Sequence, residues 1–418
     1  MKLQSLLFAD DIVLVSSSAN GLQQALNIVS NYCKKWKLTI NFNKSKVMIF
    51  NRSFNSSRSL TFTLSGVKLD ICNEYVYLGI VFVPSGSFKA AEKRLASRGN
   101  KSFASWRSML SQNIGQSHDV RINLKLFDAV TKPVLLYNSE IWMSFNKMFH
   151  DYSRLVTNVW CQNNLQFEKV HTKCCKQTLK VSKRASNIAS LAELGRYPLI
   201  SNTIVAMLSY WRRASDACPN NLVTQAVKSQ QALFDKGTGK SYYLRSIENL
   251  CKLLGLDMHS IPSTICIREK IYDLYRSNFF NIAKAGKLSL YSSIKRVYKM
   301  EHYLLSSLSG KQKQCLTKFR ISAHKLPIES GRQHNIPQHE RKCNLCSQNV
   351  VGNEYHYFIE CDQLNDSRRE LLKSLEDLNP NIARLPDNVL FTYLICAGDL
   401  DTIPATALHI SNIFSVCN

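Results

Sequence analysis

The stretch on which the fold depends lies close to the start of the chain and reads Leu6-Leu7-Phe8-Ala9-Asp10-Asp11-Ile12-Val13-Leu14-Val15. Two adjacent carboxylates separate two apolar runs with strand composition, and aspartate favours turns. The pattern predicts a tight β-hairpin with an acidic tip at Asp10 and Asp11. Close carboxylates are costly unless cations neutralise them, and divalent metals do so in enzymes that transfer nucleotidyl groups. An ordinary surface hairpin with an Asp-Asp turn is the alternative that these residues alone leave open.

The composition indicates a folded, basic protein with a polyanionic partner. The chain has 418 residues, of which 45% are hydrophobic, so we expect two or three domains with substantial cores. Its formal net charge is +24, and nucleic acid is the first polyanion that such a charge favours. A generally basic soluble protein would have the same balance of charges.

Cysteine usage and hydropathy bear on the cellular compartment. Fourteen cysteines are scattered along the chain, no signal-peptide pattern is found, and no apolar run reaches membrane-spanning length. We therefore expect a reducing, intracellular setting in the cytoplasm, the nucleus or both, without secretion or membrane contact. In such a setting thiols are free or bind metals.

Two further motifs follow the acidic stretch. A helix predicted from Ser16 to Lys37, with Trp36 on its buried face, precedes Asn41-Phe42-Asn43-Lys44-Ser45-Lys46-Val47-Met48. Strands predicted at residues 38–42 and 47–50 flank the turn that holds Lys44, and a single strand predicted at residues 75–83 contains Tyr77-Leu78-Gly79-Ile80. In this order and at this spacing the motifs resemble the end of the palm in reverse transcriptases of non-LTR (LINE-like) retrotransposons. The resemblance covers most of the chain in patches. It implies an RNA-directed DNA polymerase whose partners are RNA and DNA, as template–primer and as target DNA.

The resemblance implies roles for individual residues. Asp10 and Asp11 match the hairpin that binds Mg²⁺ in that family, and Lys44 matches the lysine of the next palm motif. A lysine at this place can protonate the leaving pyrophosphate or neutralise charge, whereas a turn lysine in solvent is the plainer alternative. Tyr77 and Gly79 match a strand near the primer grip, which implies contact with nucleic acid.

The sequence period becomes helical after a Pro-Ser-Gly break at residues 84–86. A basic helix follows, and its place after the palm resembles that of the thumb in the same family. The resemblance implies that Lys93, Arg94, Arg98 and Lys101 track the phosphate backbone of a duplex. A solvated helix face is the alternative explanation of these four side chains.

Together these patterns predict an α+β chain. We expect a small antiparallel palm-remnant sheet with a helix, then a mostly α-helical thumb and body, and a small zinc-knuckle module. A basic stretch from Lys169 to Arg184 lies in the helical body, and Asn138 stands where the family's thumb usually has glycine. Because asparagine tolerates the left-handed backbone, we expect that conformation at Asn138, and Pro133 should end or kink the helix before it. The predicted divisions are a palm remnant at 1–84, thumb-like helices at 85–150, a basic helical connector at 151–320, a zinc knuckle at 321–365 and a helical tail at 366–418.

A cluster of cysteine and histidine residues lies near the C-terminal end. Cys343 and Cys346 are separated by two residues, and His356 and Cys361 follow at a spacing that suits tetrahedral Zn²⁺. Four protein ligands fill the coordination sphere, so the zinc would be structural and not catalytic. Four unrelated residues among fourteen cysteines and ten histidines are the alternative. The flanking sequence resembles the C-terminal zinc-knuckle region of non-LTR retrotransposon polyproteins.

The front of the chain departs from the family pattern. In the family a further aspartate on an upstream strand completes the metal site, whereas only nine residues precede Asp10 here. Two carboxylates cannot hold two catalytic Mg²⁺ ions and align the reacting groups. We therefore expect a C-terminal part of a reverse transcriptase that is inactive alone and would use Mg²⁺ only with the missing upstream part. A non-catalytic, zinc-dependent RNA- or DNA-binding protein derived from a transposon is the alternative, and a decayed product without a partner is the third hypothesis.

Overall fold

The fold begins with small β-structures and continues as an assembly of helices. The computed structural model describes residues 5–50, 60–113, 119–160, 164–218, 221–236, 241–283 and 286–417. Within these ranges the strands end at Phe82 and α-helices form most of the remaining chain. The expected α+β class is therefore confirmed.

Seven short strands are present in the described part of the chain. Their bounds are β1 Ser5–Phe8, β2 Asp11–Leu14, β3 Lys46–Val47, β4 Phe62–Leu64, β5 Val67–Ile71, β6 Tyr75–Tyr77 and β7 Ile80–Phe82. They form three sheets with the strand orders β1–β2, β3–β5–β4 and β6–β7. Every pairing is antiparallel except β3–β5, which is parallel. The expectation of one small antiparallel sheet is therefore wrong in this respect.

Two tight turns explain why the predicted strands are shorter in the structure. The strands predicted at residues 38–42 and 47–50 reduce to β3, because the Asn41 side chain accepts a hydrogen bond from the Lys44 N–H at 3.2 Å and holds a turn. Residues 75–83 form a hairpin and not the single strand that we expected. Leu78 and Gly79 both have positive φ, at 46° and 81°, as two-residue hairpin turns of type I′ require.

The first helix, α1 Ala19–Lys35, packs on the mixed sheet. The Ser18 hydroxyl caps its start by accepting from the Gly21 N–H at 3.1 Å. The Gln23 side-chain amide bonds both the carbonyl and the N–H of Thr63 in β4, at 2.8 and 2.9 Å. Trp36, which we predicted on the buried face, lies beyond the helix end and is 59% exposed. The first hydrophobic core consists of Leu26, Val47, Phe62, Leu64 and Leu69.

Five helices follow β7, and all but the second of them bury side chains in a second core with it. Their bounds are α2 Lys89–Asn113, α3 Val120–Leu126, α4 Lys132–Leu135, α5 Ser139–Trp142 and α6 Tyr152–Asn158. A short π-helix at Phe127–Thr131 separates α3 from α4 just before Pro133, where we expected the helix to end or kink. Gly99 permits α2 and α4 to approach closely, since an added Cβ would lie 2.3 Å from Leu135 Cδ2. Asn138 has φ +53°, so the expected left-handed turn is confirmed.

Seven helices build the body of the chain. Their bounds are α7 Gln166–Thr178, α8 Asn187–Glu193, α9 Leu199–Ser215, α10 Leu222–Asp235, α11 Tyr242–Leu254, α12 Thr264–Ala283 and α13 Ser289–Ile294. The buried Glu168 carboxylate accepts from the Ile200 N–H at 2.7 Å and thereby satisfies the first turn of α9. Glu92 of α2 accepts from the Gln166 N–H at 2.6 Å in the same way and joins α2 to α7.

Six helices complete the chain and share a third core with α8 and α13. Their bounds are α14 Gly310–Arg320, α15 Pro327–Gln333, α16 Asn365–Leu378, α17 Pro380–Ala383, α18 Asp387–Cys396 and α19 Ile403–Cys417. The fully buried Arg320 donates to Glu193 Oε1 at 2.7 Å and lies 3.2 Å from Glu301 Oε2. The buried Arg320–Glu193 ion pair joins α14 to α8. Among the helices described, none combines the length and the apolarity that crossing a membrane requires.

Candidate functional site

The acidic stretch forms the hairpin that the sequence predicts. Phe8 pairs with Asp11, and the two-residue turn Ala9-Asp10 joins β1 to β2, with φ +52° at Ala9. Both carboxylates are exposed at this tip. Within the described residues neither Asp10 nor Asp11 forms an ion pair with a basic side chain. Among the described residues nothing compensates the negative charge of the tip, which a divalent cation can neutralise.

The hairpin extends away from the first core. Leu7 is 72% exposed and Phe8 60% exposed, and only Leu14 at the far end packs against the core. Within the described part of the chain, neither Asp10 nor Asp11 belongs to a cluster of three or more metal-binding side chains. The residues outside that part contain no aspartate or glutamate. Within its described residues the chain thus brings two carboxylates to the tip and no third one.

Lys44 lies exposed in the turn before β3. Its backbone carbonyl accepts a hydrogen bond from the Tyr75 hydroxyl at 2.9 Å, which fastens the turn to β6. Its neighbour Lys46 is engaged by Asp70 at 2.6 Å, and this bond lowers the pKa of the Asp70 carboxyl. No hydrogen bond or ion pair among the described residues joins Lys44 to the acidic tip, so the fold leaves these groups without direct contact.

The turn that contains Gly79 rests on the helical part of the chain. The Tyr137 hydroxyl donates to the Leu78 carbonyl at 3.2 Å, and a Cβ added to Gly79 would lie 3.1 Å from Tyr137 Cε1. Tyr77 is half-buried in β6. Glycine at position 79 therefore supplies both the positive φ and the room for the tyrosine ring. The sequence did not indicate Tyr137 as the residue that holds this turn.

The basic residues of α2 form an exposed face. Lys93, Arg94, Arg98 and Lys101 are all exposed, while the opposite face of the helix packs in the second core. No carboxylate in the described part of the chain pairs with any of the four. Four cations on one helix face can bind a row of phosphates.

The four predicted zinc ligands come together in the structure. The ligand atoms of Cys343, Cys346, His356 and Cys361 all lie within 4.8 Å of one another. Cys343 Sγ is 3.9 Å from Cys361 Sγ, and Cys346 Sγ is 3.4 Å from His356 Nε2. A tetrahedron with Zn–S bonds of about 2.3 Å has S–S edges of about 3.8 Å and slightly shorter S–N edges. These two separations match the edges of such a tetrahedron, and the four ligand atoms are close enough together to surround one metal ion.

The backbone and neighbouring side chains preorganise this Cys3His cluster. The Leu345 N–H points at Cys343 Sγ at 3.4 Å, as in thiolate knuckles. Glu360 Oε2 lies 3.2 Å from His356 Nδ1, so Nε2 is the ring nitrogen left for a metal. Glu360 is a residue that sequence reasoning missed, although its i,i+4 spacing from the histidine was a usable signal.

The thiols of the cluster differ in acidity. Burial opposes ionisation of Cys343, but hydrogen bonds from Tyr357 and from the backbone outweigh it and lower the pKa of the Cys343 thiol to about 6. Burial, together with the nearby Cys343 charge, raises the pKa of the Cys361 thiol to about 12. Cys343 is thus readily ionised, and a bound cation would neutralise both its thiolate and that of the buried Cys361.

The cluster is anchored in the third core and not in a separate small module. Cys361 is fully buried there together with Tyr357 and Phe358. Cys343 and Cys346 pack against the same core from its edge. A metal bound here would therefore stabilise the packing of the C-terminal helices as well as its own loop.

The comparisons with known proteins agree with part of this description. Residues 1–82 match the sequence profile of the family described as reverse transcriptase (RNA-dependent DNA polymerase). A transposon-derived protein of Caenorhabditis elegans is 31% identical over 155 residues, which cover 37% of this chain and 53% of that protein. A Drosophila melanogaster protein named as the probable RNA-directed DNA polymerase from transposon BS is 28% identical over 141 residues, which cover 32% of this chain and 15% of that protein.

These matches span about half of one relative and a small part of the other. The segment that matches the reverse transcriptase profile contains the acidic hairpin, the Lys44 turn and the Leu78–Gly79 turn. The first 82 residues are thus similar to a reverse transcriptase domain, and the chain is similar to proteins of transposon origin.

Proposed function

We propose that the chain derives from the reverse transcriptase of a non-LTR retrotransposon and that it binds RNA or DNA without polymerising it alone. The observation that carries this proposal is the exposed Asp10–Asp11 tip, because it lies inside the segment similar to reverse transcriptases. The net charge of +24 and the exposed basic face of α2 supply the attraction for a phosphate backbone.

At the acidic tip, Asp10 and Asp11 would each contribute a carboxylate to Mg²⁺. Bound Mg²⁺ would neutralise charge on the transferring phosphates. Lys44 would protonate or neutralise the leaving pyrophosphate. The site needs a further carboxylate that the described residues do not bring to the tip, so the chain would be the C-terminal part of such an enzyme. We expect a primer to remain unextended when the purified chain is given Mg²⁺, template and nucleotides.

Nucleic-acid binding is tested by fluorescence anisotropy with a labelled template–primer across a salt series. The affinity should fall steeply with salt, with a log–log slope of several units for a chain that contacts several phosphates. Replacing Lys93, Arg94, Arg98 and Lys101 by alanine should make that slope shallower by about 0.7 to 0.9 for each phosphate that the variant no longer neutralises. Absent or salt-insensitive binding by the wild type would contradict the proposed function.

A second candidate function is a non-catalytic, zinc-dependent RNA- or DNA-binding protein, and the geometry of the Cys3His cluster favours it. Cys343, Cys346, His356 and Cys361 would hold one structural Zn²⁺. Under this alternative Cys343→Ser abolishes nucleic-acid binding, whereas substitutions on α2 leave it nearly unchanged. The matched control is Cys218→Ser, which removes an exposed thiol outside the cluster.

A further inference from the structure

Basic residues from separate elements gather beside α15 in the helical body, and two of them flank the Glu329 carboxylate. This group, here called the connector cluster, consists of Lys176, Lys183, Arg184, Lys287 and Arg332. Its members come from the end of α7, the loop before α8, the turn before α13, and α15. The fold therefore concentrates charges that are far apart in the sequence.

Direct contacts connect the members of the connector cluster. Lys287 Nζ lies 3.5 Å from one oxygen of Glu329, and an Arg332 nitrogen lies 3.1 Å from the other. Arg184 donates to the Gln333 side chain at 3.2 Å, which ties the loop before α8 to the end of α15. The positions of these basic groups are thus fixed by the packing of α15.

A second set of contacts brings α7 into the same group. Lys176 Nζ donates to the Lys183 carbonyl at 2.9 Å. Burial lowers the pKa of Lys176, and the positive charge of Lys287 lowers it further. The charges of α7 and of the turn before α13 are therefore close enough to repel each other.

Negative charge in the connector cluster is scarce. The Glu329 side chain is only 3% exposed, and both of its oxygens already face cations. Lys183 and Arg184 are exposed, and no carboxylate in the described part of the chain pairs with either. Such crowding of like charges is unfavourable unless an external polyanion neutralises it.

The connector cluster is continuous with the Cys3His cluster. Arg341 donates to the Ile328 carbonyl at 2.9 Å, and its side chain lies against Gly331, where an added Cβ would be 2.6 Å from Arg341 Cγ. Cys343 follows Arg341 by two residues. A single strand of nucleic acid that passes over the Cys3His cluster would therefore meet α15 and the basic side chains beside it.

We propose that the connector cluster is a second binding surface for the phosphate backbone of a nucleic acid, in addition to the exposed face of α2. This inference rests on the proposed nucleic-acid binding and adds a site to it. Several separately placed cations, two of them arginines with planar donor groups, suit a row of phosphates better than a single carboxylate. The repeating charge of RNA or DNA engages all of them at once.

The test compares a double variant, Lys183→Ala with Arg184→Ala, against a matched control, Lys228→Ala with Lys270→Ala. All four side chains are exposed, and each pair removes two positive charges. Binding of single-stranded RNA is measured by anisotropy across a salt series. The connector variant should bind about tenfold more weakly or worse at about 0.1 M salt, with a slope shallower by about 1.4, while the control keeps the wild-type slope.

Three results would overturn the inference. If the connector variant binds RNA with the affinity and salt slope of the control, the second surface is ruled out but the proposed function still stands. Wild-type protein that binds no RNA removes the proposed function and the inference together. Release of RNA by polyglutamate as effectively as by unlabelled RNA would assign the cluster to an acidic protein partner.

Amine labelling of the folded wild type gives an independent readout that needs no variant. RNA should protect Lys183 and Lys287 from acetylation and leave Lys228 reactive, as measured by mass spectrometry. Equal reactivity with and without RNA at Lys183 and Lys287 would overturn the inference even if a variant failed to fold.

Discussion

Replacing Glu360 by glutamine should weaken zinc binding while leaving all four ligands in place. Glu360 Oε2 lies 3.2 Å from His356 Nδ1, so the carboxylate orients the ring and makes Nε2 a better donor. Loss of such a partner typically costs about 10- to 100-fold in metal affinity, which is about 1.4 to 2.7 kcal/mol. Because the Glu360 side chain is 50% exposed, water screens the interaction, and we expect the lower end, about tenfold.

The assay is competition for Zn²⁺ between the purified chain and a chromogenic chelator of known affinity. Glu376→Gln is the control, since it removes an exposed carboxylate from α16 outside the Cys3His cluster. Wild type and control should bind one zinc with the same affinity. A Glu360→Gln variant with wild-type zinc affinity would refute the role of the carboxylate, and a chain that binds no zinc at all would refute the site itself.

The remaining predictions concern stability, measured by urea unfolding. Gly79→Ala should cost about 1 to 2 kcal/mol, because φ is +81° and the added Cβ would lie only 3.1 Å from Tyr137 Cε1. An unchanged midpoint would contradict this. Asn138→Ala should cost about 1 kcal/mol at φ +53°, whereas Asn138→Gly should be tolerated, and equal costs would argue against backbone conformation as the cause. Burial opposes ionisation of Asp128, but Arg196 and Lys132 together outweigh it and lower the pKa of Asp128 from 3.8 to about 2. A lowered carboxyl pKa stabilises the fold above the unfolded pKa, and this stability is lost as the pH falls through the folded value. Between about pH 5 and pH 2 the free energy of unfolding of the wild type should therefore fall by about 1 kcal/mol more than that of Asp128→Asn. This figure is discounted because the Asp128 side chain is 35% exposed. Parallel pH curves would refute it.

Local patterns allowed the main features of the candidate site to be predicted. The acidic hairpin depends on turn chemistry within about ten residues, and the cysteine and histidine spacing depends on ligand geometry within about twenty. Asn138 was recognised as a left-handed turn position because asparagine tolerates that conformation. Each of these inferences needs only the residues next to it in the chain.

Contacts between distant segments could not be predicted in the same way. The bond from Arg320 to Glu193 joins residues 127 positions apart, and the contact of Tyr137 with Leu78 joins residues 59 apart. The periodicity of a single helix does not reveal which other helix it will meet. Trp36 illustrates the same limit. Helical spacing placed it on the buried face of α1, but the helix ends one residue earlier, at Lys35.

The strand predictions failed for a different reason. Apolar composition around residues 38–50 favoured two strands, but the Asn41 side chain bonds the Lys44 N–H and uses that donor for a turn. A short polar side chain thus outweighed β-propensity over a few residues. The same competition makes sheet edges harder to predict than helix cores.

One experiment tests the central claim most directly: primer extension by the purified 418-residue chain on a labelled template–primer with Mg²⁺, with binding of the same complex followed by anisotropy. The account predicts a bound but unextended primer, because the acidic tip has two carboxylates and no third within reach in the described structure. Template-dependent extension that disappears in the Asp10→Ala and Asp11→Ala variants would contradict it.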